Sequence, residues 1–313
     1  MAGTAPLQVS EILVPLDGSD FANTAIPTAV RLALKLGAGI CLFSAVASVD
    51  AIPDREILLA TFRIPELRVD REVVVDLDPA GAIHETLRRR PGTVVCMATH
   101  ARARAAALAR SVLAELLARG QDPAIAVGPA IGDFAPWVED ERPGRGVVVG
   151  VDDAPEAIAL AQRARQWAAL VHEPLTVVTV AEPVPPEISS GPVHRKYGPD
   201  DDVEEWLRLL VFRLRRDNDR DNDREEDVRI ETRALYDPVS PTRGLLEYVR
   251  EHPPTLVVAG THPPTGLKRL ARGSKAAAIV RGSGAPVLVV PVGVKRPRRQ
   301  TAGIRTPAQT TSR

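Results

Sequence analysis

The chain has 313 residues, of which 44% are hydrophobic and 26% charged, and its 40 Lys and Arg residues balance its 40 Asp and Glu residues. This length favours two domains, and the zero net charge argues against a protein whose whole surface binds polyanions. Aromatic residues make up only 4% of the chain and no apolar run approaches the ~20 residues of a membrane span, so neither base stacking on nucleic acid nor membrane insertion is expected.

In the first half of the chain, apolar runs rich in β-branched residues alternate with segments of helical periodicity. Strands are predicted near 10–16, 40–46, 70–76, 93–98 and 124–128, and helices near 21–36, 79–90 and 105–119, with room for a short helix between the second and third strands. The strands are continuous Val, Ile and Leu runs, which is typical of strands that are covered on both faces in a parallel sheet.

The second half of the chain repeats this order. Strands are predicted near 146–151, 175–180, 228–234, 255–259 and 286–290, and helices near 155–171, 202–216, 241–251 and 272–281. The alternation of strands and helices predicts an α/β fold with two doubly wound, mainly parallel five-stranded sheets.

Matching segments show that the two halves are copies of one unit. EILVPLDGSD (11–20) resembles GVVVGVDDAP (146–155), which aligns Asp17 with Asp152, and TVVCMATH (93–100) resembles TLVVAGTH (255–262). The second copy carries an insertion between its second and third strands. That insertion contains DDVEEWLRLLVFRLRR (201–216). Its periodicity predicts a helix whose apolar face consists of Trp206, Leu209, Leu210, Phe212 and Leu214.

These patterns divide the chain into four parts. We expect a first domain at 8–130, a linker at 131–145, a second domain at 146–293 and a disordered tail at 294–313. The linker is rich in Pro, Gly and mixed charge, and the tail lacks periodicity.

The residues expected to bind a ligand follow three strands of the second copy. In an open α/β sheet, ligands bind beyond the carboxyl ends of the strands, where the strand order reverses. The predicted site consists of Gly150 and Asp152 after the first strand, Val180 at the end of the second, and Gly260, Pro263, Gly273, Ser274 and Lys275 after the fourth. Glycines that admit phosphate and a helix N-terminus that attracts it together predict an anion cradle. The alternative is an ordinary helix cap at Ser274 and a turn residue at Asp152.

The loop after the fourth strand resembles the nucleotide motif of the universal stress protein family: Gly, two residues, Gly, nine residues, Gly, then Ser or Thr. Gly260, Gly273 and Ser274 match this motif, whereas Pro263 replaces its middle glycine. Proline lacks an N–H group and cannot adopt a positive φ, so the loop departs from the family pattern. In the first copy, the equivalents of the three glycines are Ala98, Ala101 and Ser111.

The resemblance covers both copies and has several implications. It implies a Rossmann-like fold of the adenine-nucleotide alpha hydrolase type, with the final strands 124–128 and 286–290 pairing in an intramolecular pseudo-dimer. It implies ATP or a related adenine nucleotide, with Mg²⁺, as a ligand bound in the second copy rather than the first. It also implies a stress-response regulator that acts on a protein partner, and association of two chains into a homodimer stays open.

The alternative function is a scaffold or interaction module of the same fold that binds no nucleotide. At most a weak ATPase activity is expected, because the sequence has no Walker lysine motif and His100 and His262 lack an evident catalytic partner. A third alternative is a ligase of the ATP-pyrophosphatase type, but the Gly- and Ser-rich phosphate loop of such enzymes would stand where this sequence reads PLDGSD and GVDDAP. No metal site is expected either. The acidic run DNDRDNDREED (217–227) begins like a calcium loop, but Asn222 stands at the sixth position, where a glycine is needed, and Val228 at the twelfth, where a glutamate is needed. Cys41 and Cys96 lie in apolar strands and no signal peptide is evident, which favours a cytoplasmic protein with free thiols.

Overall fold

The computed structural model describes residues 7–65, 67–99, 111–120, 123–131, 145–181, 201–220, 228–261 and 275–292. Its strands are Glu11–Pro15 (β1), Gly39–Val46 (β2), Val69–Val75 (β3), Thr93–Ala98 (β4), Ala124–Val127 (β5), Val147–Gly150 (β6), Leu175–Ala181 (β7), Ile230–Tyr236 (β8), Leu256–Thr261 (β9) and Val287–Pro291 (β10). Its α-helices are Asp20–Asn23 (α1), Ala25–Leu36 (α2), Ile52–Thr61 (α3), Pro79–Arg89 (α4), Val112–Arg119 (α5), Ala157–Leu170 (α6), Asp201–Arg220 (α7), Pro241–Glu251 (α8) and Lys275–Gly282 (α9).

The strands form one sheet in the order β3-β2-β1-β4-β5-β10-β9-β6-β7-β8. Within each copy all neighbouring strands are parallel, and the two copies meet at the antiparallel pair of β5 and β10, where Ile125 lies opposite Leu288. The predicted α/β class and the predicted pairing of the two final strands are therefore confirmed. The two five-stranded units are joined into a single ten-stranded sheet because this pair closes the edge that each unit would otherwise expose.

Helices cover both faces of the sheet and bury two apolar layers. One layer contains side chains of α2, α3, α6 and α7, and the other contains side chains of α4, α5, α8 and α9. Each layer draws residues from both copies. The strands are consequently buried on both faces, which explains their continuous Val, Ile and Leu runs.

The first predicted helix, 21–36, is divided in the structure. It consists of α1 and α2, which are separated at Thr24. Pro27 explains the break, since its ring removes an N–H donor and clashes with the carbonyl group four residues earlier, that of Asn23.

Helix starts follow the capping residues of the sequence. Ser19, Asp78 and Ser240 each accept a hydrogen bond from a backbone N–H of the first turn of α1, α4 and α8 respectively. Proline follows the cap in α4 and α8, where its missing N–H costs nothing. The predicted start of the helix at 105 and the predicted tail at 294–313 lie outside the described residues.

The two cysteines, Cys41 in β2 and Cys96 in β4, are free and buried. Burial raises the pKa of the Cys41 thiol to about 12 and also raises that of Cys96. Both thiols therefore stay protonated at neutral pH and act as small apolar side chains. Within the described ranges, no helix is both long enough and apolar enough for a membrane span.

Candidate functional site

The second copy has a crevice where its strand order reverses. The chain passes from β6 to β7 on one side, whereas β9 pairs with β6 on the other side. The helices that follow β6 and β9 thus leave the sheet on opposite faces, which opens a space beyond the carboxyl ends of these two strands. Gly150 and Gly260 lie near these ends, and α9 begins at Lys275.

An ion pair bridges this crevice. The Lys275 Nζ lies 3.3 Å from the Asp152 Oδ2, and the Asp152 Oδ1 accepts a hydrogen bond from the Ala154 N–H at 3.3 Å. The contact joins the end of β6 to the first residue of α9. Because the Asp152 side chain is 58% exposed and that of Lys275 is 66% exposed, the pair contributes little to stability and can open at little cost.

The two strand-end glycines leave room for helix packing. A Cβ atom on Gly150 would lie 2.6 Å from the Leu245 Cδ2 of α8, and one on Gly260 would lie 3.2 Å from the Leu160 Cδ2 of α6. The structure therefore explains both glycines by close approach of side chains from these helices. Their predicted contact with phosphate stays a prediction.

Residues 145–291 match the sequence model of the universal stress protein family. This half of the chain is a universal stress protein domain. The match includes the ends of β6 and β9 and the start of α9, which are the elements that form the crevice.

Solved structures extend the likeness in fold to the first copy. A universal stress protein from Archaeoglobus fulgidus DSM 4304 matches with a TM-score of 0.61 and 15% identity, over 91% of this chain and 97% of that chain. A putative universal stress protein from Pseudomonas aeruginosa UCBPP-PA14 matches with a TM-score of 0.50 and 14% identity, over 92% and 95%. A universal stress protein solved in complex with cAMP matches 48% of this chain and 98% of its own at 25% identity, with a TM-score of 0.35. No curated protein matches the chain significantly.

The remaining predicted residues of the universal stress protein domain fall into two groups. The Val180 side chain faces α8, since a Cβ atom on Gly244 would lie 2.8 Å from the Val180 Cγ1. Pro263, Gly273 and Ser274 lie outside the described residues. The structure thus brings Asp152 and Lys275 together, whereas the Val180 side chain packs against α8.

In the first copy, an arginine side chain lies over the equivalent strand end. The Asp17 Oδ1 accepts hydrogen bonds from the Ser19 N–H at 2.9 Å and the Ser19 Oγ at 2.6 Å. Burial opposes the charged form, but these hydrogen bonds and the nearby Arg55 guanidinium lower the pKa of Asp17. A Cβ atom on Gly18 would lie 2.4 Å from the Arg55 Nη1, which is buried and has no hydrogen-bond partner among the described residues. The space that an incoming ligand would need beside Asp17 therefore holds a cation from α3.

A second carboxylate at the same edge, Asp237, was not predicted from the sequence. It follows β8, is almost fully buried, and accepts hydrogen bonds from the backbone N–H groups of Val239 at 2.7 Å and Ser240 at 2.9 Å and from the Arg243 Nε at 2.9 Å. The Ser240 N–H is the main cause of its lowered pKa. The signal in the sequence is DPVSP (237–241), a turn that leads into a capped helix. Asp237 is therefore a structural residue of the turn before α8.

Metal-binding clusters are absent from the part of the chain that the structure describes. His100, His262 and residues 221–227 of the acidic run lie outside that part, and the structure places residues 217–220 at the end of α7.

Proposed function

We propose that this chain is a stress-response regulator that binds ATP or a related adenine nucleotide in its second copy, with little or no hydrolysis. The observation that carries the proposal is the meeting of Asp152 and Lys275 at the reversal of strand order. The family of residues 145–291 supports it.

The chemistry of these two residues suits the two ends of a nucleotide. The Asp152 carboxylate can accept hydrogen bonds from ribose hydroxyls or from a base amino group. The Lys275 ammonium can bind phosphate oxygens. Because the two side chains pair with each other in this structure, a nucleotide would separate them and take a partner from each.

Mg²⁺ would enter together with the triphosphate. Magnesium keeps several water ligands and is commonly held through substrate phosphates. Because Asp152 is assigned to the ribose or the base, phosphate oxygens and water would supply the ligands of such an ion.

Binding is proposed for one copy only. In the first copy Arg55 lies against Gly18, and the equivalents of the family glycines carry Cβ atoms at Ala98, Ala101 and Ser111. In the second copy Gly260 and Gly273 are kept. Nucleotide occupancy would then alter the start of α9 and bias a surface that a protein partner recognises.

The proposal is tested by calorimetric titration of ATP with Mg²⁺ into the full chain. We expect one nucleotide per chain with a dissociation constant on the order of micromolar. Asp152→Asn and Lys275→Ala each remove one charged partner and should weaken binding about tenfold or more. Gly273→Glu should abolish binding, because it adds a negative charge and a side chain to the phosphate loop.

Asp17→Asn is the matched control, since Asp17 is the equivalent strand-end carboxylate of the first copy. It should leave the affinity for ATP unchanged. Two nucleotides per chain would contradict the assignment to the second copy alone. An absence of heat at millimolar ATP, together with an unchanged melting temperature, would favour the scaffold interpretation.

A further inference from the structure

The second copy carries a helix with no equivalent of its length in the first. Helix α7 has 20 residues, whereas α3, at the same place in the first copy, has 10. The side chains that α7 buries against α6 and β8 are Val203, Leu207, Leu210 and Leu214. The Arg165 side chain of α6 donates a hydrogen bond to the Leu214 carbonyl oxygen at 3.5 Å, which adds a polar contact to this interface.

The opposite face of α7 exposes two large apolar side chains. Leu209 is 53% exposed and Phe212 is 61% exposed. The sequence pattern alone assigns both residues to the apolar face of the helix, but the structure leaves them in solvent. A concavity of about 580 Å³ lies along this face and is lined by Glu204, Glu205, Arg208, Leu209 and Phe212. The outward face of α7 therefore presents both apolar side chains and an adjacent recess to solvent.

Charged residues flank the apolar pair symmetrically. At about 100° per residue, Glu205, Leu209, Phe212 and Arg216 lie on one narrow stripe, opposite the buried face. Glu205 and Arg216 are exposed and have no ion-pair partner among the described residues. The stripe is symmetric in position about the peptide bond between Leu210 and Val211, with an acid at one end and a base at the other. When two copies of this helix lie antiparallel, Glu205 of each copy therefore lies opposite Arg216 of the other.

We propose that α7 binds α7 of a second copy of this chain, antiparallel, around a two-fold axis at the middle of the helix. In this arrangement Leu209 of each copy packs against Phe212 of the other. Glu205 of each copy pairs with Arg216 of the other. Both contacts occur twice because the interface is isologous, and the two-fold closes the assembly at a dimer.

The contact is compatible with the pairing that already joins the two halves of one chain. Strands β5 and β10 pair with each other within one chain, so neither is free to pair with a strand of a second copy. Helix α7 instead lies beside β8, which is the last strand of the sheet. A single helix pair about 30 Å long buries an area at the lower end of specific interfaces, so we expect a dimer with a dissociation constant on the order of micromolar.

The test is sedimentation equilibrium of the full chain over low to high micromolar concentration. The unmodified chain should pass from monomer to dimer. Phe212→Ser should shift this transition at least about tenfold higher in concentration, because it removes two apolar contacts per dimer. Leu77→Ser is the matched control, since Leu77 is 84% exposed in the first copy, and it should leave the transition unchanged.

Charge reversal decides the antiparallel register. Glu205→Arg alone and Arg216→Glu alone each place like charges opposite each other twice, so each should weaken the dimer about tenfold. The double variant with both substitutions restores opposite charges and should recover the affinity of the unmodified chain. This series keeps the proposal testable even if Phe212→Ser disturbs folding.

A chain that stays monomeric at all concentrations would overturn the proposal, and so would a dimer that is insensitive to Phe212→Ser. A double variant as weak as the single variants would also overturn it.

Discussion

At the scale of single residues, Asp237 shows how a buried turn depends on ionisation. Its pKa is lowered chiefly by the Ser240 N–H and further by Arg243, so its folded value lies below the unfolded value of about 3.9. A group with a lowered folded pKa stabilises the fold fully above its unfolded pKa, and this stabilisation is lost as the pH falls through the folded value. Asp237→Asn should therefore lower the urea midpoint at pH 7. The difference from the unmodified chain should shrink as the pH falls below about 4.

The control for this comparison is Asp153→Asn, a substitution of the same chemistry at an exposed residue in the loop after β6. Its urea midpoint should follow that of the unmodified chain at both pH values. If Asp237→Asn lowers the urea midpoint equally at pH 7 and at pH 3, then packing rather than the carboxylate charge accounts for the effect.

At the scale of elements, the backbones of the two copies approach each other closely at the end of β5. A Cβ atom on Gly128 would lie 1.9 Å from the carbonyl oxygen of Val280 in α9. Backbone cannot yield as a flexible side chain does, so Gly128→Ala has to displace α9 or β5. We expect a loss of about 1–3 kcal/mol in the free energy of unfolding, measured by urea denaturation. Gly284→Ala is the control, since no atom lies within 4 Å of its Cβ position, and a loss of similar size there would contradict this explanation.

At the scale of the whole molecule, the ten-stranded sheet and the two apolar layers continue from one copy into the other. Neither copy can unfold without exposing β5 or β10 of the other. Unfolding in urea should therefore show one transition with the same midpoint by tryptophan fluorescence and by circular dichroism. Trp167 is buried in the second copy, so its fluorescence reports mainly on that half. Two separate midpoints would show that the copies unfold independently.

The repeat and the order of strands and helices could be predicted from the sequence, because they follow from local periodicity. The pairing of the two final strands was expected from the family resemblance. The caps at Ser19, Asp78 and Ser240 are local as well, since each is a Ser or Asp directly before its helix. Local signals did not mark the left-handed residue after α6. Gly37 takes that conformation after α2 with φ 62°, whereas the second copy places His172 there with φ 54°. The general fold could be predicted because each copy repeats the same local pattern.

The contacts between residues of different elements could not be predicted from the sequence. Asp152 pairs with Lys275, and Arg55 lies over Gly18, although the members of each pair are distant in the chain. The exposed stripe of α7 depends on which face of the helix its neighbours cover. The sequence predicted that Asp152 and Lys275 lie near one strand edge, but hydrophobic periodicity carries no information on contacts between charged side chains. Burial of apolar side chains determines the hydrophobic periodicity within each helix or strand, whereas contacts between elements depend on how all the elements pack together.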